Sequence, residues 1–341
     1  MALPLLLSLL ALLVTVVVAA GIGSVHVAPS GVVAAVGRGV ARLFGEAAAL
    51  DPATRVADTI VWQIRLPRVV LAATVGAALA LAGAAFQGVF RNPLADPYLL
   101  GAASGAGFAA AAAMVYGAGL PLLRGWGVPG AAFVGAGITV MVVVALARRG
   151  WTVPVVPLIL AGVVIGSTLS AATSFVLLAA REQATGILSW LLGSLTFASW
   201  ERLAVTAPLV LVAAVVLLAS ARALNVLQLG ETSAAQLGVP VEALKTAVVA
   251  AATLATAAAV SMAGVIGFVG LVVPHAVRLA LGPDHVRLLP VAAVWGAAFL
   301  VLADLVARTV ISPAELPVGV VTALVGAPFF LALLRRRMGA A

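Results

Sequence analysis

Ten mostly apolar runs, each near the length needed to cross a bilayer, divide this chain: 3–25, 66–88, 98–118, 128–147, 153–179, 203–220, 246–263, 265–281, 288–310 and 316–334. A spanning helix needs about 20 apolar residues. Lipid leaves a crossing backbone only the helix or the closed barrel. No run shows strand-like alternation, so the chain is predicted to be all-α, a polytopic membrane protein of about ten transmembrane helices in one domain over 1–341. The piece 186–198 is too short to span and reads as a surface or re-entrant helix. Between the seventh and eighth runs, only Gly264 and its small neighbours make the break.

The chain is 64% hydrophobic and 9% charged, against about a quarter charged in soluble domains, so little of it lies outside the bilayer. Its net charge of +8 would suit nucleic acid in a soluble protein. Here most basic residues fall at span ends, where they face headgroups instead. The absence of cysteine excludes disulfides, thiolate metal sites and a cysteine nucleophile. Met1–Val25 lacks a charged leader, and its apolar run exceeds the roughly 7–15 residues of a signal peptide, so it is read as the first span.

An even number of spans puts both termini on one side. Arg335-Arg336-Arg337 and Arg148-Arg149 assign that side to the cytoplasm, although the outer segment 26–65 also carries Arg38, Arg42, Arg55 and Arg65. The cytoplasmic breaks are then 91–97, 148–151, 220–245 and 282–287. The outer ones are 26–65, 119–127, 180–202, 263–265 and 311–315.

Two breaks carry most of the information. Arg91-Asn92-Pro93-Leu94-Ala95-Asp96-Pro97-Tyr98-Leu99-Leu100-Gly101 holds two prolines, an Asn and an Asp, so the chain turns there. A turn that polar lies at a membrane face or lines a cavity, and a pathway can be gated at such a place. The second break, 220–245, is the longest cytoplasmic connection. Within it, Gly230 interrupts the chain, Glu231 opens a short helix at its positive end, and Gly238 suits the left-handed C-cap position. The segment is predicted to be a helix pair along the membrane face.

The stretches RNPLADPYLLG, LGETSAAQLGV, GVIGFVGLVVPHAVRLALGPDHVRLLP (264–290) and ADLVARTVISPAELPVGVVTALVGAPFFLALL (303–334) resemble the membrane subunits of the large ten-span ABC importers for iron–siderophore, haem and cobalamin. The motifs stand in that family's order and spacing from about Arg65 to the C-terminus. The resemblance implies a homodimer in the cytoplasmic (inner) membrane, two separate ABC ATPase subunits beneath it, and a periplasmic or lipid-anchored binding protein above. It implies that Leu229, Gly230, Glu231, Ala235, Leu237 and Gly238 form the contact with the ATPase. The family often has a second acid after Glu231, where this chain has Thr232. Asn92, Pro93 and Leu94 match the family's cytoplasmic gate. Arg65, Arg68 and Arg308 match arginines that grip carboxylates of the binding protein, a task suited to the guanidinium fork; otherwise they anchor to headgroups.

No G-x-x-x-x-G-K-[ST] sequence occurs, so ATP and Mg are expected on the partner ATPase, with no cofactor, metal or catalytic residue in this chain. Asp304 is the one acid well inside a span. A charge there costs about 2.5–3.5 kcal/mol, and Arg308, one turn on, is the predicted structural partner. His275 lacks a second ligand nearby and reads as a packed residue. A rhomboid-type pair of Ser104 and His275 would need Gly at the position of Ala102, and paired prenyltransferase aspartates are absent. Small residues such as Gly76, Ala80 and Ala84 are expected at helix contacts. The predicted role is an import permease, with iron–siderophore leading on base rate over haem and cobalamin. The competing class is a carrier driven by an ion gradient, for which Asp304 would be the coupling carboxylate.

Overall fold

A computed structural model describes residues 2–23, 25–45, 52–117 and 126–338. Among these residues every regular element is helical, and the one β-type pairing is an isolated bridge between Arg149 and Thr152. The ten expected spans correspond to α1 (Ala2–Gly21), α4 (Leu66–Val89), α5 (Ala102–Tyr116), α6 (Gly127–Ala147), α7 (Val155–Ala179), α9 (Trp200–Ala219), α12 (Val241–Ala263), α13 (Val269–Leu281), α14 (His285–Thr309) and α15 (Val318–Met338). Among the described residues, seven helices have spanning length and hydropathy, while α5, α13 and the apolar part of α15 are shorter. The protein is a multi-pass membrane protein. Most of the 119–127 connection lies outside the described residues.

The remaining helices fill the connections. An amphipathic α2 (Pro29–Leu43) and α3 (Pro52–Asp58) occupy the segment before α4, and a π-helical turn, Thr59–Arg65, joins α3 to α4 without a break. Arg38 and Arg42 both pair with Asp58 to tie α2 to α3. The short 186–198 piece is α8 (Ala184–Leu191) followed by non-helical chain. The 220–245 connection is the expected pair, α10 (Ala221–Leu227) and α11 (Glu231–Gln236).

α4 is the axis of the molecule, buried along most of its length and packed against α14, α12, α13 and α9. Its small residues permit this. A Cβ on Gly76 would stand 2.2 Å from the Gly296 carbonyl oxygen, and one on Gly83 would stand 1.9 Å from that of Gly270. Only glycine lets the backbones approach so closely. Ala80 packs against Gly296 in the same contact.

α1 lies along α14, with the Trp295 indole donating to Ser8 Oγ and the Arg308 guanidinium donating to the Ala19 carbonyl. α1 therefore begins, and α15 ends, at the end of the bundle that carries α10 and α11.

The structure corrects two span boundaries. Residues 264–268 form a non-helical link with left-handed backbone at Gly264 and Phe268, and α13 begins only at Val269. α12 begins earlier than expected, at Val241, so Lys245 sits in a helical turn rather than in the connection. The 91–101 segment also departs from a surface turn. Gly101 packs beside Thr139, Gly162 and Gly166, and Thr139 stands about 12 Å up α6 from its nearer end. The chain from Asn92 to Gly101 thus climbs into the bundle as irregular backbone, which is why α5 is only 15 residues long.

Candidate functional site

The irregular 92–101 segment meets the irregular 264–268 link inside the protein. The Tyr98 hydroxyl donates to the Ile266 carbonyl (3.0 Å) and accepts from the Ile266 amide (3.2 Å). The Gln87 side-chain amide donates to the carbonyls of Ala95, Gly270 and Leu271 at 3.3–3.5 Å, and its oxygen accepts from Arg278 Nη1 at 2.9 Å. Pro97 fills the space beside Gly270, where a Cβ would clash with its ring at 2.5 Å. Irregular backbone at membrane depth is tolerable only when protein groups satisfy it, and Tyr98 and Gln87 supply those groups. Sequence reasoning missed Gln87; its signal was one amide side chain in the otherwise apolar second half of α4.

The tip of this segment is the predicted gate. Asn92 Oδ1 accepts from the Leu94 amide at 2.9 Å, and its carbonyl accepts from the Ala95 amide, an Asx turn that suits Asn before Pro. Leu94 is exposed and Pro93 half-buried.

The predicted coupling segment lies directly beside this tip. Gln228 donates to the Gly88 carbonyl at the end of α4 (2.9 Å), and a Cβ on Gly230 would lie 3.7 Å from Arg91 Nη1. Asn225 donates to Asp284 Oδ1 (2.6 Å) and accepts from the His285 amide (2.8 Å), so α10 is also fixed to the start of α14. The Asn225 amide, the Val286 amide and Arg287 hold the Asp284 carboxyl below its ordinary value against a partial opposing effect of burial.

Gly230 (φ +109°) and Gly238 (φ +82°) bracket α11. The Gly238 amide bonds the Ala235 carbonyl, and the Val239 amide bonds the Ala234 carbonyl, a Schellman C-cap at the predicted glycine. Ala234 is buried, whereas Leu229, Ala235 and Leu237 are exposed, so the pair presents apolar side chains outward. Glu231 and Glu242 both pair with buried Lys245 (3.1 and 2.6 Å), and Glu242 accepts from the Val153 amide. These bonds tie α11 to α12 and to the start of α7.

At the opposite end of the bundle a charged cluster gathers Arg65, Arg68, Asp304, Arg308 and Glu315. The predicted Asp304–Arg308 pair is looser than expected, at 3.7 Å. The close partner of Asp304 is Arg68, whose Nε and Nη2 donate to the carboxylate at 2.8–3.0 Å. Arg308 can reach one helical turn back only partly, because its guanidinium is drawn to the Ala19 carbonyl. Arg65 is buried and donates to the carbonyls of Ala20, Gly21 and Val25, capping the end of α1. Arg68 Nη1 also binds Glu315, which in turn accepts from Thr196. Burial pushes the Glu315 carboxyl up, but Arg68 and Thr196 more than offset this and leave it below its ordinary value.

Of the other candidates, Ser104 bonds Ser170 at 3.2 Å rather than a histidine. His275 is buried within α13. Among the described residues no cluster of His, Cys, Asp or Glu could hold a metal.

The comparisons agree with this architecture. The model of the FecCD transport family matches residues 11–336. The cobalamin import system permease protein of Halobacterium salinarum is 49% identical over 281 residues, covering 82% of this chain and 74% of that protein. The hemin transport system permease protein of Yersinia pestis is 43% identical over 279 residues, covering 81% and 84%. A solved metal-chelate-type ABC transporter in an inward-facing conformation superimposes with a TM-score of 0.83 at 32% identity, covering 97% of this chain and 98% of that one. With a family match over nearly its whole length and a shared fold, this chain belongs to the FecCD transport family of ABC-importer permeases.

Proposed function

We propose that two copies of this chain form the pathway of an ABC importer that carries a bulky metal chelate of the cobalamin, haem or iron–siderophore class into the cytoplasm. The chain makes and breaks no bond. Two ATPase subunits bind ATP and Mg and dock on the exposed apolar face of Leu229, Ala235 and Leu237. The permease lies in the cytoplasmic membrane with both termini and α10–α11 inside, as the arginines at 148–149 and 335–337 favour.

The observation that carries this reading is the junction of α10–α11 with α4. Gln228 bonds the last turn of α4, and Gly230 adjoins Arg91, one residue before the gate tip. Movement of a docked ATPase therefore has a short path of hydrogen bonds to Asn92, Pro93 and Leu94. Gly230 and Gly238 set the protruding helix at a fixed angle, while Glu231 and Lys245 hold its base. At the outer end, Arg68 is the proposed contact for a binding-protein carboxylate, which would displace the half-exposed Glu315. Arg65 and Arg308 act at one remove by holding α1.

A carrier driven by an ion gradient needs a carboxylate that releases and regains its counter-ion, and Asp304 is fixed between two guanidinium groups. The cobalamin and hemin permeases among the relatives support the chelate class. The test is Leu229→Glu with Leu237→Glu, two exposed changes that leave the bundle intact. Co-purification of the ATPase and ATP-dependent uptake into proteoliposomes should be lost while the melting temperature holds. Undiminished ATPase binding overturns the assignment.

A further inference from the structure

α6 and α12 diverge along the outside of the bundle and leave a groove of about 470 Å³. Its walls are almost wholly apolar, with Phe133, Val140 and Val144 on α6 facing Val249, Ala250 and Leu254 on α12. One end is different in kind. There the lining ends at Arg148, the residue after α6, with Thr246 opposite. From Phe133 to Arg148 the stripe is about 22 Å long, more than the roughly 15 Å depth of one leaflet's hydrocarbon.

Arg148 is built into this position. Its Nε donates to the Gly150 carbonyl at 3.0 Å, and its guanidinium carbon lies 5.7 Å from the centre of the Trp151 ring. Trp151 is 87% exposed, as befits an indole at the membrane–water interface. The terminal nitrogens of Arg148 have no hydrogen-bond or ion-pair partner among the described residues. Further in, Thr253 also lines the groove, but its hydroxyl is turned away from the surface, buried and without a hydrogen-bond partner among the described residues. The hydroxyls of Thr246 and Thr256, on the same helix, turn back onto their own backbone.

We propose that this groove is a binding site for an anionic phospholipid of the surrounding membrane. One acyl chain lies between α6 and α12, and the phosphate is held by Arg148 over the Trp151 ring. An apolar trough alone would accept any lipid or helix. The single cation at one end, at the depth where headgroups lie, selects a negative one. The inference rests on the membrane embedding of the chain and is independent of the cargo and of the ATPase contact.

The experiment is native mass spectrometry of the full chain with its co-purified partners, from nanodiscs of equal phosphatidylglycerol and phosphatidylcholine. The wild type should retain phosphatidylglycerol over phosphatidylcholine by about fivefold, the effect of one surface cation. Arg148→Gln should abolish the preference while still retaining lipid. Ala250→Phe fills the trough from an exposed position and leaves Arg148 in place, so it should reduce retention of both lipids. An unselective wild type, a preference that survives Arg148→Gln, or retention untouched by Ala250→Phe overturns the site. So does cross-linking of Ala250→Cys to a second protein chain, which would make the groove a helix contact.

Discussion

At the scale of single residues, Asp304 shows how much a partner matters. Its carboxylate is buried with Arg68 and Arg308 on either side, and removing one member of a buried pair leaves the others as uncompensated charges. Asp304→Asn should therefore cost about 3–5 kcal/mol, read as a lowered denaturation midpoint in detergent. Glu315→Gln, which removes the half-exposed partner of Arg68, should cost about 1 kcal/mol or less. Equal losses would show that the cluster is not organised around Asp304.

Elements depend on close approach and on their ends. Gly83→Ala places a methyl group 1.9 Å from the Gly270 oxygen, backbone that cannot yield, so folded protein should fall steeply. In α6, Gly130→Ala meets nothing within 4 Å and should raise stability by about 0.5–1 kcal/mol, the helical advantage of alanine. Thermal denaturation of both variants checks the contrast. Asp284 caps α14 by accepting from the Val286 amide, and Asp284→Ala should cost about 1 kcal/mol. Because the folded Asp284 titrates below its unfolded value of 3.8, its contribution is fully present above that pH. It is lost as pH falls through the lower folded value. A wild-type melting temperature that drops more than that of Asp284→Ala between pH 5 and pH 3 would match this sign.

For the whole molecule, the prediction concerns transmission. Gln228→Leu keeps the volume of the side chain but breaks its bond to the end of α4. The assembled importer should bind its ATPase normally and hydrolyse ATP, yet take up cargo several-fold more slowly. Normal uptake per ATP in proteoliposomes would place the coupling route elsewhere.

The apolar helices and the all-helical, polytopic class were legible in the sequence because transfer from water to lipid is a local sum over neighbouring residues. Gly230 and Gly238 gave the bounds of α11 for a similar reason, since the left-handed backbone favours glycine wherever the rest of the chain lies. Depth and pairing were not legible. Two prolines dictate a break after α4, but only the facing α13 link, with Tyr98 and Gln87 to satisfy its backbone, lets that break rise into the bundle. Likewise, Arg308 is the neighbour of Asp304 along the helix, while Arg68, 236 residues away, is its close partner in space. Local patterning determines which segments enter the membrane; packing among them decides which polar groups meet, because an ion pair forms by proximity and desolvation rather than by position in the chain.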